Sequence, residues 1–446
     1  MRDIAFALIM LGLIPLAAMR PYIGLLVWSW LGYMNPHRLT FGFAYSFPWV
    51  MLVAVVTLAS LAISKENKRI PRSTVSVLLV LFLLWTGFTT FFAAVPDTAS
   101  QRWQEFAKTL VLVFATLMLV NTRERMHWLI WVIVVSLGFY GIKGGVYTIV
   151  HGGANLVFGP AGSFIGDNND LAQALCMVLP LMRYLQLQAS RKMVKVGLGL
   201  AMFLTGVAIL GTYSRGGLIA LAIVSAALFL KSRRRITLAV ALVAVGVTAY
   251  NFMPAHWMQR METIQHADQV NTFQTRVQSW EFAANVALHR PLVGGGFNVY
   301  ESTAMWSLYG PEDAMPRAVH SVYFRVLGEQ GFPGIVLFIA LLVASWRYCG
   351  KVRRRTRKLP AEKWAFDLAS MFQASLLAYM TAGLATTSSY FDMSYQIMAM
   401  CAILHGLVIA RSTASATHRT ADPSLARLPA GDACELAGHG MNGGME

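Results

Sequence analysis

Three side chains carry the types and positions that chemistry would need: Arg215 in "GTYSRGGLIA", Arg276 in "NTFQTRVQSW" and His320 at the head of "HSVYFRVLGEQGFPG". An arginine offers phosphate a planar fork of donors. A histidine near neutral pKa can take a proton from a hydroxyl. Two guanidinium groups beside one imidazole would suit a phosphorylated, lipid-linked substrate. Each residue also has a structural alternative: His320 as a hydrogen-bonded loop residue, Arg215 as a side chain snorkelling from a span end to the headgroups, Arg276 as part of a solvated helix face. What favours chemistry for Arg215 is its place on a face otherwise poor in positive charge.

The elements that must position these residues are membrane helices. The 446 residues are 56% hydrophobic and 13% charged, with a mean hydropathy of +0.53, and runs such as "VSVLLVLFLLWTGFTTFFAA" have no polar face to give to water. With about 17 to 25 residues per span, crossings are expected near 47–63, 74–94, 106–120, 127–150, 171–188, 194–213, 216–230, 236–252, 332–348, 365–386 and 391–410. Residues 4–34 are ambiguous, since "MRPY" interrupts them; counted as one irregular crossing they bring the total to about twelve. Asp3, the weakly basic start and the many later spans argue against a removable signal peptide. The net charge of +16 is concentrated in short gaps, "KENKRIPR", "RER", "RKMVK", "KSRRR" and "KVRRRTRK". Such clusters mark the cytoplasmic side, which puts both termini inside and argues against a nucleic-acid partner. The expected partners of the surface are membrane lipids.

The same parity places 151–170, the turn at 213–216 and the long segment 253–331 outside. The long segment is rich in aromatic residues, among them Trp257, Trp280 and Trp306, which argues for order. A helix is expected from near Thr272, with Phe273, Val277, Trp280 and Ala284 on one stripe, ending before Pro291 and the "GGG" at 294–296, read as a hinge. The whole would be a lid against the membrane. The division is then an N-terminal bundle (1–252), the outer loop (253–331), a C-terminal set of spans (332–410) and a disordered cytoplasmic tail (411–446).

Other chemistries fit less well. No Asp-x-Asp pair stands on the outer face to hold a divalent cation, and "GDNND" reads as a cap for a helix starting at Leu171. No strand-turn-helix elbow surrounds Ser214 or Ser321, and "GGG" is not a phosphate loop. Cys176, Cys349, Cys401 and Cys434 have no metal-ligand or disulfide-framework spacing.

"HSVYFRVLGEQGFPG" resembles the pattern His, then Asn, Ser or Gln, nine residues, Gly, two residues, and Gly, Thr or Tyr, of the O-antigen ligase family. Its positions here are His320, Gly331 and Gly334. "YSRGG" resembles that family's span-end arginine motif, and "RVQSWEFAANVALHRPLVGGGFNVY" the stretch before its histidine. The motif match is confined to about 213–334. The resemblance implies an all-α polytopic integral-membrane glycosyltransferase of the GT-C-like kind in the bacterial inner membrane, with one large, partly helical periplasmic loop. It implies a metal-independent, inverting reaction with no cofactor. A polysaccharide would pass from undecaprenyl diphosphate to the lipid A core oligosaccharide at the periplasmic face. By position, Arg215 and Arg276 would bind the diphosphate and His320 would act as base; Asp167, Asn168 and Asn169, which resemble another loop of the family, would support them.

The same superfamily contains O-antigen and exopolysaccharide polymerases and protein O-oligosaccharyltransferases, which differ in acceptor. The single large loop favours the ligase, and the lack of a large domain after the last span weighs against a protein acceptor. A transporter of an anionic lipid or solute, with Arg215 on its path, is the alternative from another class; no inverted repeat or pair of broken helices is evident to support it.

Overall fold

A computed structural model describes residues 1–231 except 67 and 69, scattered positions between 236 and 254, and 271–421 except 313. The expected span at 236–252, the loop up to 270 with Trp257, the gap "KSRRR" beyond Lys231, Cys434 and the tail beyond 421 lie outside the described residues. Among the described residues the fold is all-helical, with no strand.

The helices are α1 (Arg2–Met19), α2 (Pro21–Met34), a single turn α3 (Phe43–Ser46), α4 (Trp49–Ile63), α5 (Thr74–Thr90), α6 (Pro96–Leu119), α7 (Arg123–Val150), α8 (Asn168–Gln188), α9 (Lys192–Gly211) and α10 (Arg215–Lys231). There follow α11 (Asn271–His289), α12 (Thr303–Tyr309), α13 (Val322–Thr356), α14 (Lys363–Ala382) and α15 (Asp392–Ala421). Five of these, α1, α7, α9, α13 and α15 up to Arg411, are long and apolar enough to cross a membrane, and three shorter apolar helices lie at Trp49–Ile63, Thr74–Thr90 and Arg215–Phe229. Length and apolarity of this kind identify a membrane protein. Large apolar side chains on the outer faces of α1, α4 and α5, such as Leu11, Met51 and Leu84, are left uncovered by protein.

Every expected crossing within the described residues coincides with a helix, because an apolar run that must satisfy its own backbone in lipid has no other conformation open to it. Four boundaries differ. Helix α6 begins at Pro96, ten residues before the expected crossing at 106. Residues 4–34, expected as one irregular unit, form two helices separated by extended backbone at Arg20; Pro21 has no N–H to continue α1 but suits the first position of α2. Helix α13 begins ten residues before the expected crossing at 332 and bends at Gly331, where φ is 67° and ψ −171°. The tail expected from 411 is helical as far as Ala421.

The core is centred on α8, α14 and α15, whose faces are nearly all buried. Helix α8 packs against α9 and α14, and α7 packs against α9. A separate, smaller apolar cluster gathers Phe282, Ala283, Val286, Val299, Met305 and Trp306 beside the main one. It organises the segment between α11 and α13: the Phe282 and Trp306 rings stack with centroids 4.2 Å apart, and Trp306 Nε1 donates to the Tyr300 carbonyl at 2.7 Å.

Helix α11 matches the expected extent, but its expected apolar stripe is corrected. Val277 is exposed, while the buried face runs through Ser279, Phe282, Ala283 and Val286. Phe273 and Trp280 mark the flank of that face: Trp280 stacks on Phe324 of α13, 5.4 Å between centroids.

Candidate functional site

A cleft of about 440 Å³ opens where α8, the α9–α10 turn, α11 and the segment before α13 converge. Arg215, Arg276 and His320 all line it, together with Asn169, Tyr213 and Arg317. The structure therefore brings together residues as much as 151 positions apart in sequence, Asn169 and His320.

Arg215 is the first residue of α10 and is half-buried. The turn before it is tight because Tyr213 is left-handed, with φ 57°, and Tyr213 is held by its hydroxyl donating to the Gly153 carbonyl at 2.5 Å. Ser214 Oγ then accepts from Gly217 N at 3.1 Å, an N-terminal cap. The glycines of "YSRGG" make room for neighbouring helices. A Cβ on Gly217 would lie 2.6 Å from Ala172 Cβ on α8, and one on Gly216 2.8 Å from Ala385 Cβ after α14. Close approach to both sides seats the start of α10 at the cleft wall.

The acidic and amide residues at the start of α8 support that turn. Asp167 caps the helix, its carboxylate accepting from Asn169 N at 2.8 Å; the helix starts at Asn168, three residues before the expected position. Asn168 is buried and donates to the Thr212 carbonyl at 2.7 Å, tying α8 to the α9–α10 turn. Asn169 faces the cleft and donates to Asp167 Oδ1 at 3.1 Å.

His320 sits just outside α13, two residues before its first residue, Val322. Ser321 is the cap, accepting from Phe324 N at 3.5 Å. Backbone bonds fix this corner: Ser321 N to the Val319 carbonyl at 2.9 Å and Val322 N to the Gly383 carbonyl at 2.8 Å. Burial holds the His320 pKa below its ordinary 6.5, and the nearby Arg276 and Arg325 charges push the same way, against Asp167. The imidazole is therefore neutral at pH 7, the form that can accept a proton.

Gly331 and Gly334 lie away from the cleft, at the bend of α13. A Cβ on Gly331 would stand 2.4 Å from the Leu292 carbonyl oxygen, and its positive φ excludes most side chains. Into this unwound turn the glycines at 294–296 dock through main-chain bonds: Gly295 N to the Gly328 carbonyl at 2.8 Å, Gly296 N to the Glu329 carbonyl at 2.9 Å, and Phe332 N to the Pro291 carbonyl at 2.9 Å. The "GGG" expected as a hinge is thus a packed seam.

Two features escaped the sequence reading. Arg317, three residues before His320, adds a third guanidinium to the cleft lining; its Nε donates to the Met315 carbonyl at 3.0 Å. Arg325 and Glu329 form a buried ion pair at 3.1 Å, with side chains 4% and 1% exposed. Glu329 also accepts from Asn298 N at 3.0 Å and from the Tyr390 hydroxyl at 2.6 Å. Arg325 reaches the Thr387 carbonyl at 2.7 Å, so the pair joins the segment at Asn298, α13 and the α14–α15 connection. Their i, i+4 spacing on a helix that begins in the quoted motif was the available signal.

Among the described residues no three of His, Cys, Asp and Glu come together as a metal-binding set. The chemistry the cleft offers is anion binding by guanidinium groups beside a neutral imidazole.

This is the geometry of an all-helical membrane protein with a basic cleft at one end of its helices, and comparison with known families agrees. Residues 200–339 match the family described as O-Antigen ligase. The matched stretch contains Arg215, Arg276, His320, Gly331 and Gly334, and it implies a glycosyltransferase-like enzyme acting on a lipid-linked glycan donor and a lipid acceptor in general. Residues 1–190 match a second family, described as Family of unknown function (DUF5935). No curated protein matches the chain.

Proposed function

We propose that the protein is a ligase transferring a polysaccharide from undecaprenyl diphosphate to the lipid A core oligosaccharide, on the periplasmic side of the bacterial inner membrane. The observation that carries this reading is the convergence of Arg215, Arg276 and His320 on one cleft. In the proposed step the acceptor hydroxyl oxygen attacks the anomeric carbon and the bond from that carbon to the diphosphate oxygen breaks. His320 takes the hydroxyl proton. The bonding pair leaves with the diphosphate, whose growing charge is met by Arg215 and Arg276. Attack from the face opposite the leaving group inverts the anomeric centre. No metal is assigned a part.

Asp167, Asn168 and Asn169 act in this scheme through position: the first caps α8, the second ties α8 to the turn before α10, and the third forms part of the wall. Gly331 and Gly334 act at the seam that sets the segment carrying His320. The test is transfer by the purified chain from labelled undecaprenyl-diphosphate glycan, offered lipid A core, a second lipid-linked glycan or a peptide in separate reactions. A labelled lipid A core conjugate, still formed in the presence of a chelator, is expected. Product on the lipid-linked glycan or the peptide alone would assign the polymerase or the protein-glycosylating reading, and no covalent product with any acceptor would leave transport.

A further inference from the structure

At the other end of α13 lies a second basic cleft that the proposed reaction does not use. From Gly331 to Arg353 the helix rises about 33 Å at 1.5 Å per residue, roughly the thickness of a bilayer's hydrocarbon core. There, between α13 and α14, a cleft of about 590 Å³ is lined by Arg347, Arg353, Arg354 and Arg357, with Trp346 and Phe366 as aromatic walls. Basic residues at a helix end need no ligand to explain them, since they fix orientation. The shape of this site goes further.

Arg353 is held in place rather than extended into solvent. Its Nη1 donates to Gln373 Oε1 at 2.7 Å, its guanidinium lies 5.6 Å from the Phe366 ring centroid, and its Nε is buried with no hydrogen-bond partner. A buried donor left open is costly unless an acceptor arrives. Gly350 keeps the floor clear: a Cβ there would come to 3.8 Å from Gln373 Nε2 and 3.9 Å from Arg354 Nη1, so a methyl fits and a longer side chain would occupy the cleft. The acids of the following element do not neutralise it, because Glu362 pairs with Arg411 at 3.3 Å and Asp367 with Lys363. On the other side of α13 a neighbouring cleft of about 400 Å³ shares Arg354 and adds Lys351, Arg355 and His405 beside the apolar Val408 and Ile409.

From this geometry we infer that the α13–α14 cleft binds the phosphodiester headgroup of an anionic phospholipid of the inner leaflet. The guanidinium groups meet the phosphate oxygens, and the acyl chains lie along the apolar flank of α13. Basic pockets between helices on the cytoplasmic side suit such headgroups.

The experiment uses the full chain, purified in a neutral detergent and examined by native mass spectrometry with added phosphatidylglycerol, phosphatidylcholine or inorganic phosphate. Phosphatidylglycerol should bind at least fivefold more tightly than phosphatidylcholine and should resist millimolar phosphate. Each arginine neutralised, as in Arg353→Gln or Arg357→Gln, should weaken it about fivefold. Gly350→Leu should weaken it comparably with no change of charge, whereas Gly350→Ala and the control Lys192→Gln/Lys195→Gln should not. If Gly350→Leu does not yield folded protein, the exposed Arg357 decides by itself. Equal binding of the two lipids, equal weakening by the control pair, or displacement by phosphate at lipid-equivalent concentration would each overturn the site, the last leaving an adventitious anion only. None of these outcomes bears on glycan transfer.

Discussion

Replacing Glu329 by Ala removes one carboxylate and strands three donors. Arg325 Nε at 3.1 Å, Asn298 N at 3.0 Å and the Tyr390 hydroxyl at 2.6 Å all point at it, and at 1% exposure water cannot substitute. Loss of one partner of a buried ion pair costs about 3–5 kcal/mol, since the remaining charge stays desolvated without compensation. The cation–π contacts of Arg325 with Tyr300 and Tyr390, at 4.9 and 5.6 Å, offset part of this, so about 3 kcal/mol is expected. The assay is thermal and denaturant unfolding of the purified chain in detergent, followed by tryptophan fluorescence. A double variant, Arg325→Met with Glu329→Leu, separates charge from packing, because replacing both members by apolar residues can be nearly neutral. The double variant should therefore be more stable than Glu329→Ala. If Glu329→Ala unfolds with the parent chain, or if the double variant loses the sum of the two single losses, the pair is not coupled and the reasoning fails.

Four further outcomes are expected. Transfer should be flat above pH 6.5 and fall as pH drops through the lowered His320 pKa, because protonation removes the base; a profile that rises on acidification would exclude this role, and His320→Gln should cost about a hundred- to ten-thousand-fold in rate. Arg215→Lys keeps the charge but loses the planar fork, so donor turnover should collapse while the protein remains folded by size-exclusion chromatography; unchanged turnover would reduce Arg215 to a snorkelling residue. Gly331→Ala should destabilise by about 1–3 kcal/mol from backbone strain alone, read in the same unfolding assay, since its φ is 67°; wild-type stability would mean that the bend is not required. Cysteine placed at the exposed Ser307 should react with an impermeant maleimide on intact cells and cysteine at Lys358 should not; the reverse pattern would invert the topology.

The helices were legible because a long apolar run encodes its own conformation: Thr74–Thr90 and Arg123–Val150 fall where composition alone puts them. The cleft was legible for a different reason. Arg215, Arg276 and His320 are polar residues on a face where polarity needs an explanation, and each stands at or near the end of an element. The stripe on α11 was misread because period alone cannot tell a face that packs on protein from its flank. Phe273 and Trp280 carry large rings, yet the buried face is marked by Ser279 and Ala283, the latter a small residue that lets α11 approach α13 at Gly328. The Arg325–Glu329 pair was missed because charges next to an apolar span read as its polar border, and only the tertiary contacts of Asn298, Thr387 and Tyr390 draw them inward. Arg317 lies in a segment without regular structure, where spacing carries no orientation.

The seam at the bend of α13 is made of main-chain atoms. Bonds from Gly295, Gly296 and Phe332 to the carbonyls of Gly328, Glu329 and Pro291, and from Ala94 N to the Gly295 carbonyl at 2.8 Å, specify geometry without specifying side chains. Such a joint is indifferent to what the adjoining surfaces carry, provided its glycines remain. Neighbouring segments of quite different composition could be grafted onto one set of membrane helices and would inherit the same register, so the surfaces beside the cleft could diversify among chains of this architecture while the arginine at the start of α10 stayed where it is.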